Sequence, residues 1–110
     1  MLTSELTTPI REAISDEKSP YRHGDAELFR AIGRALRALH SVHPEAFMVE
    51  DYQLDPPAVP TSLTGTVDLD PYWQPAIVHH VAYEILSQDS EDENNRALAA
   101  DHWAHWIQEI

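Results

Sequence analysis

Four histidines in the second half of the chain are the residues whose type and spacing most directly suggest chemistry. His79 and His80 are adjacent, and His102 and His105 lie three residues apart in a later segment. Imidazole nitrogens are common zinc ligands, but a zinc site needs three or four that converge. On a helical wheel both pairs point away from the apolar faces of their helices, so the pattern favours surface or interface histidines over a metal centre.

The other residues that could do chemistry predict no catalytic site. The chain has 19 Asp and Glu, yet none stands in a motif that marks a nucleophile or a general base, and no glycine-rich phosphate loop is present. Cysteine is absent, which excludes disulfides and thiolate ligands. Trp103 and Trp106 have the spacing of a core face, which favours packing over base stacking. We therefore expect a protein that is not an enzyme and that binds no cofactor and no metal.

Three arginines form a stripe on one side of a predicted helix. Arg30, Arg34 and Arg37 stand at i, i+4 and i+7 in a chain with only seven Lys and Arg and a net charge of −12. They lie opposite an apolar arc formed by Leu28, Ile32, Ala35, Leu36 and Leu39. The stripe is either a solvated helix face or a contact surface for an acidic partner, which a neighbouring copy of the chain could supply.

An acidic cluster precedes the last helical pattern. Its members are Asp89, Glu91, Asp92 and Glu93. Because acidic residues stabilise the N-terminus of a helix, the cluster is either a favourable helix start or a contact patch complementary to the arginine stripe. The candidate interface residues are therefore the arginine stripe, the acidic cluster and three residues of the proline-rich middle segment, Tyr52, Leu54 and Val59.

Apolar periodicity predicts four helices, at about residues 8–18, 25–43, 72–88 and 91–109. Thr8 and Pro9 have the types of an N-cap and a first helical residue, which places the start of the first helix. Residues 44–71 carry five prolines and predict an extended arm or a short β-hairpin, and a connection of this length tends to be functional. We expect one all-α domain, residues 1–110, with four helices and a long proline-rich arm.

The composition also restricts the partners. A pI near 4.7 argues against nucleic-acid binding through phosphate neutralisation, although an acidic surface suits a passage through which DNA slides without adhering. No apolar run approaches the roughly 18 residues that span a bilayer, and the N-terminus lacks the basic and apolar regions of a signal peptide. We expect a soluble intracellular protein that does not contact a membrane.

Four segments of the chain, taken in order, match the pattern of one known family. They are Tyr21–Phe29, His43–Phe47, Tyr72–Asp89 and Asn95–Ile107. They resemble segments of the small head-to-tail adaptor, or connector, proteins of tailed phages. In that family the first two segments stand at the start and at the end of the first long helix. The third segment forms a later helix, and the fourth forms the closing helix. The chain departs from the family pattern at Gly24, where Ser or Thr is commoner, and in a shorter middle region, where the family usually carries a strand-rich insert.

This resemblance implies a structural role in the virion. Adaptors of this kind form a ring, usually twelvefold, beneath the portal, and they join it to the neck or tail around a channel for DNA. The implied partners are the portal protein, a neck, tail-terminator or tail protein and further copies of the chain, with DNA only as passing cargo. The implied location is the head–tail neck of the virion, after synthesis in the host cytoplasm. The arginine stripe would then pair with acidic residues of a neighbour or of the portal.

Two other classes of function stay open from the sequence. An acidic intracellular effector that occupies a basic site on a host protein would fit the net charge of −12, although the clustered arginines count against it. A metal-dependent enzyme built on His79, His80, His102 and His105 would contain stoichiometric metal.

Overall fold

A computed structural model describes residues 1–49, 52–53, 58–88 and 93–110, with the backbone alone at 48–49, 52–53 and 93. Four α-helices hold most of the described residues, so the prediction of an all-α fold is confirmed. The elements in chain order are α1 (Ser4–Ala13), α2 (Asp25–Val42), β1 (Met48–Val49), β2 (Tyr52–Gln53), α3 (Gln74–Ser87) and α4 (Glu93–Glu109). The two short strands pair antiparallel, with Met48 opposite Gln53 and Val49 opposite Tyr52.

The first helix begins earlier than predicted. α1 starts at Ser4, so Thr8 is not its N-cap and Pro9 lies inside it. A proline has no amide hydrogen to donate to the carbonyl four residues earlier, which here belongs to Glu5. That carbonyl accepts a hydrogen bond of 2.6 Å from Nε2 of Gln74, at the start of α3. A tertiary contact thus satisfies the group that Pro9 leaves without its helical partner.

The first helix also ends earlier, at Ala13 rather than near residue 18. Ser15 adopts a left-handed conformation with φ of 57°. The amide of Asp16 donates to the carbonyl of Arg11 at 2.9 Å, and the amide of Ser15 donates to that of Glu12 at 3.3 Å. These two bonds define a Schellman termination, in which glycine is the usual left-handed residue. A serine at that position gave no signal that the helix stops there.

The other helices start or end within two residues of their predicted bounds. α2 spans Asp25–Val42, against a predicted 25–43. Before α3, Pro71–Trp73 forms a 3₁₀ turn that Asp70 caps by accepting from the amide of Tyr72 at 2.9 Å, so α3 begins at Gln74 rather than at 72. α4 begins at Glu93, against a predicted 91.

The core is built around α3, which packs against α1, α2 and α4. The apolar arc predicted for α2 is fully buried, as the helical periodicity requires. It belongs to one hydrophobic core together with apolar side chains of the other three helices, chiefly Leu6, Ile10, Ile77, Val81, Ile85, Ala99 and Trp106. Burial of each large aliphatic side chain contributes roughly 1.5–3 kcal/mol.

Part of the predicted arm is docked on the helical core. The N-terminal residues run beside residues 63–67, where Thr3 donates its amide to the carbonyl of Gly65 at 2.9 Å. Val67 and Leu69 are buried. Farther along, Val59 lies directly over Gly33 of α2, where a built Cβ would come within 2.6 Å of its Cγ2. Glycine at position 33 therefore allows residues 58–60 to approach α2 closely.

Candidate functional site

The three arginines of the stripe are all exposed on the outer side of α2, opposite the buried arc. They are not equivalent, because Nε of Arg34 contacts the carboxylate of Glu84 on α3. Arg30 and Arg37 form no ion pair with any residue that the structure describes. The stripe therefore divides into one arginine that links α2 to α3 and two cations, seven residues apart, that face outward.

Arg30 borders a groove of about 690 Å³ between the first turns of α2 and residues 59–64. Phe29, Val59 and Leu63 supply apolar surface, while Asp25 and Arg30 supply charge. Val59 and Leu63 are each 39% exposed. The fold thus places Val59, a candidate from the middle segment, beside a candidate from the stripe. An apolar side chain of a partner could enter this groove while an acidic neighbour meets Arg30.

A buried ion-pair network holds the beginning of α2 in place, and sequence reasoning missed it. Arg11 is 7% exposed and Asp16 is 5% exposed. Nη1 of Arg11 lies 3.1 Å from Oδ2 of Asp16, and its Nη2 lies 2.7 Å from Oδ1 of Asp25. The guanidinium also donates to the carbonyl of His23 at 2.9 Å and lies 3.7 Å from the ring centre of Tyr21. One cation thus joins α1, the connection and the first residue of α2.

The electrostatics of this network depend on Asp16. Burial opposes the charged form of its carboxylate, but the amides of Arg22 and His23 donate to it at 2.9 and 3.0 Å, and Arg11 attracts it. The hydrogen bonds and the attraction together lower its pKa below the usual 3.8. One feature of the sequence could have indicated this network: Arg11 lies next to Ile10 and near Ile14, on the apolar side of the first helix, where a charged residue needs a buried partner.

Three of the four histidines meet at the interface of α3 and α4. Nδ1 of His79 lies 2.8 Å from Nδ1 of His102, and the ring of His79 stacks on that of His105 with centroids 4.8 Å apart. His80 instead contacts the ring of Trp106 edge to face, at 4.8 Å. The wheel placed both pairs away from the apolar faces of their helices, and the packing of α3 along α4 brings three of these side chains together at the interface between the two helices.

The histidine cluster is not arranged around a metal position. Two imidazole nitrogens on a tetrahedral zinc ion lie about 3.3 Å apart, given Zn–N bonds of about 2.0–2.1 Å. The 2.8 Å separation in His79 and His102 is instead that of a hydrogen bond. Among the described residues, no group of three or more His, Asp or Glu could hold a metal ion.

The two tryptophans of α4 have different surroundings. Trp106 is 3% exposed and belongs to the core, as its spacing predicts. Trp103 is 40% exposed, so its prediction as a core residue is wrong. Its ring lies 4.7 Å from that of Tyr83, at the edge of the contact between α3 and α4. Because α4 packs chiefly on α3, the residues that the structure describes cover one side of this helix and leave Trp103 at its margin.

The remaining candidate interface residues are those of the acidic cluster and those of the middle segment before Val59. Leu54, Asp89, Glu91 and Asp92 lie outside the described residues, while Glu93 opens α4 and Tyr52 lies in β2. The pairing predicted between the acidic cluster and the arginine stripe therefore stays a prediction.

Within the described ranges, no helix is both long enough and apolar enough to cross a membrane. Comparison of the chain with protein-family models, with curated proteins and with solved structures finds no match.

Proposed function

We propose that this chain is a head-to-tail adaptor of a tailed phage, a structural virion protein whose copies form a ring beneath the portal. The observation that carries this proposal is the pair of outward cations on α2. Arg30 and Arg37 share one face of a chain with net charge −12, and Arg30 borders an apolar groove. A face of this kind fits an acidic partner surface that carries an apolar side chain.

A ring supplies such a surface at every subunit. Its contacts are heterologous, so one face of each copy meets a different face of the next copy. An outward basic face on a strongly acidic protein fulfils the electrostatic condition for that contact, and an acidic portal surface would fulfil it equally. The remaining acidic surface would line the channel in part and keep it from gripping DNA.

The three arginines of the stripe do not test this contact equally well. Charge reversal at Arg34 would place a glutamate beside Glu84 and disturb the packing of α2 on α3. Arg30→Glu and Arg37→Glu instead alter exposed side chains, and we expect the double variant to stay folded and fail to join the virion. Lys18→Glu reverses an exposed cation elsewhere in the chain and is the matched control.

The decisive measurement is quantitative mass spectrometry of purified, DNA-filled virions. An adaptor ring matched to the portal predicts about one copy of this chain per portal subunit. Absence of the chain from virions, together with its abundance in infected-cell lysate, would contradict the proposal and favour the acidic effector.

A further inference from the structure

The contact between α3 and α4 carries an unusual polar pair at its centre. α4 packs chiefly against α3 and buries Ala99 and Trp106 there. Beside these apolar residues, the partly buried rings of His79 and His102 face each other through their Nδ1 atoms at 2.8 Å. The packing of α4 therefore includes a hydrogen bond between two imidazole side chains, the side-chain type whose ordinary pKa lies closest to neutral pH.

The geometry of the pair determines where its protons lie. A hydrogen bond between two Nδ1 atoms requires one N–H donor and one lone pair. Nε2 of His79 lies 3.5 Å from Oε1 of Glu109, which favours a hydrogen on that nitrogen and the lone pair on Nδ1. His102 is then the donor, through its Nδ1–H. This hydrogen bond forms while His79 is neutral, whether or not His102 carries a second proton on Nε2.

The charged and titratable groups around the pair come from three helices. α3 contributes His79, His80 and Glu84, α4 contributes Asp101, His102, His105 and Glu109, and α2 contributes Arg34.

Burial is the main reason that the pKa of His79 is lowered. Glu109 and Asp101 raise this pKa, and His105 lowers it further. Burial also lowers the pKa of His102, and His79 and His105 lower it further, whereas Asp101 raises it. The pKa of His80 is lowered chiefly by burial, while Glu84 raises it and Arg34 lowers it.

We propose that the His79–His102 hydrogen bond is a proton-operated latch that holds α4 on α3 at neutral pH and releases it in mild acid. Protonation of both rings places an N–H on each Nδ1 atom, so neither ring accepts and two cations face each other. Separation of α4 from α3 relieves this repulsion and returns the rings to water.

The end of α4 responds to protons in the opposite direction. His43, after α2, contacts the main-chain oxygen of Ile110 through Nε2 and the carboxylate of Glu45 through Nδ1. The hydrogen bond to Ile110 and then that to Glu45 raise the pKa of His43. Acid therefore strengthens the anchor at Ile110 while it weakens the latch, so we expect α4 to open at its N-terminal part and centre and to pivot about its last turn.

The direction of the pH effect follows from the lowered pKa values. The released histidines bind protons near the usual pKa of 6.5, and the packed ones bind them only at lower pH. Closure of α4 is thus fully favoured above pH 6.5 and weakens as the pH falls from there through the pKa values of the packed rings.

Two measurements on the full chain, in buffer with a metal chelator, test the latch. Imidazole ¹⁵N NMR should show one ring of the pair with Nδ1–H and the other with a free Nδ1, both titrating below free histidine. Amide exchange, corrected for intrinsic rates, should show protection in residues 95–106 falling at least about tenfold between about pH 7.5 and about pH 5.5, while α2 stays protected.

His102→Gln provides the matched variant, because the glutamine amide can still donate to His79 but does not titrate. We expect its opening to move to lower pH and to take up fewer protons, whereas His23→Gln, near the Arg11 network, should behave as the unmodified chain does. Three results would each overturn the proposal: identical tautomers in both rings, protection of α4 that does not depend on pH, or an unchanged pH response in His102→Gln.

Discussion

Arg11 and Asp16 form an ion pair at 3.1 Å in which both side chains are more than nine-tenths buried. Removal of one partner from a buried pair leaves the other charge without compensation. If the charge of Asp16 is removed, Arg11 still has its ion pair with Asp25. The amides of Arg22 and His23, however, would no longer donate to a charged carboxylate. The pair therefore couples the end of α1 to the start of α2, from which Arg30 projects.

We expect Asp16→Asn to reduce the free energy of unfolding by about 3 kcal/mol, measured by urea denaturation. Glu17→Gln, at the exposed neighbour, should change it by less than about 0.5 kcal/mol. If the two variants are equally stable, the network does not hold the connection.

The lowered pKa of Asp16 predicts a specific acid dependence. Its stabilising contribution is complete above the unfolded-state pKa of about 3.9 and is lost as the pH falls through the lower folded-state pKa. The difference in stability between the unmodified chain and Asp16→Asn should therefore shrink below about pH 4, as followed by urea denaturation across pH. A difference that stays constant down to about pH 2 would contradict this assignment.

Pro9 and Gln74 should be energetically coupled. Gln74→Ala removes the donor to the Glu5 carbonyl and should cost about 1 kcal/mol. In a Pro9→Ala background the alanine amide can bond that carbonyl within α1, so Gln74→Ala should cost less. A double-mutant cycle measures this coupling, and strict additivity of the two changes would refute it.

Ser15→Gly should stabilise the protein, because glycine adopts the left-handed conformation at φ of 57° without a side-chain clash. We expect a gain of about 0.5–1 kcal/mol in the free energy of unfolding. Thr8→Gly, at an exposed position inside α1, should instead cost about 0.3 kcal/mol, the difference between the helix propensities of Thr and Gly, and serves as the control for the direction of the effect. Loss of stability in Ser15→Gly would show that the helix does not end in this way.

Gly33→Ala should destabilise the contact between α2 and residues 58–60. The new methyl group would lie 2.6 Å from Cγ2 of Val59, so Val59 must move away at a cost of about 1–2 kcal/mol. Val59→Ala should restore most of the loss in the double variant, as calorimetry would show. Failure of this rescue would mean that Val59 does not lie over Gly33.

Local periodicity was sufficient to predict much of this protein. The burial of Leu28, Ile32 and Leu36 opposite the exposed arginines follows from 3.6 residues per turn, because a helix with one apolar side must bury that side. The helical fold and the bounds of α2 could be predicted for the same reason. The early start of α1 could not, since Pro9 is tolerated only because a distant Gln74 bonds the carbonyl that it leaves free.

The chemistry of the surface depended on which helices meet. From the sequence, Arg30, Arg34 and Arg37 were equivalent, and only the packing of α3 against α2 brings Glu84 to Arg34 and leaves the other two facing outward. The sequence likewise contained histidines at helical spacing, but a wheel describes one helix in isolation. The 2.8 Å contact of His79 with His102 exists because α4 packs on α3, and such a relation between side chains 23 residues apart arises only in the tertiary structure.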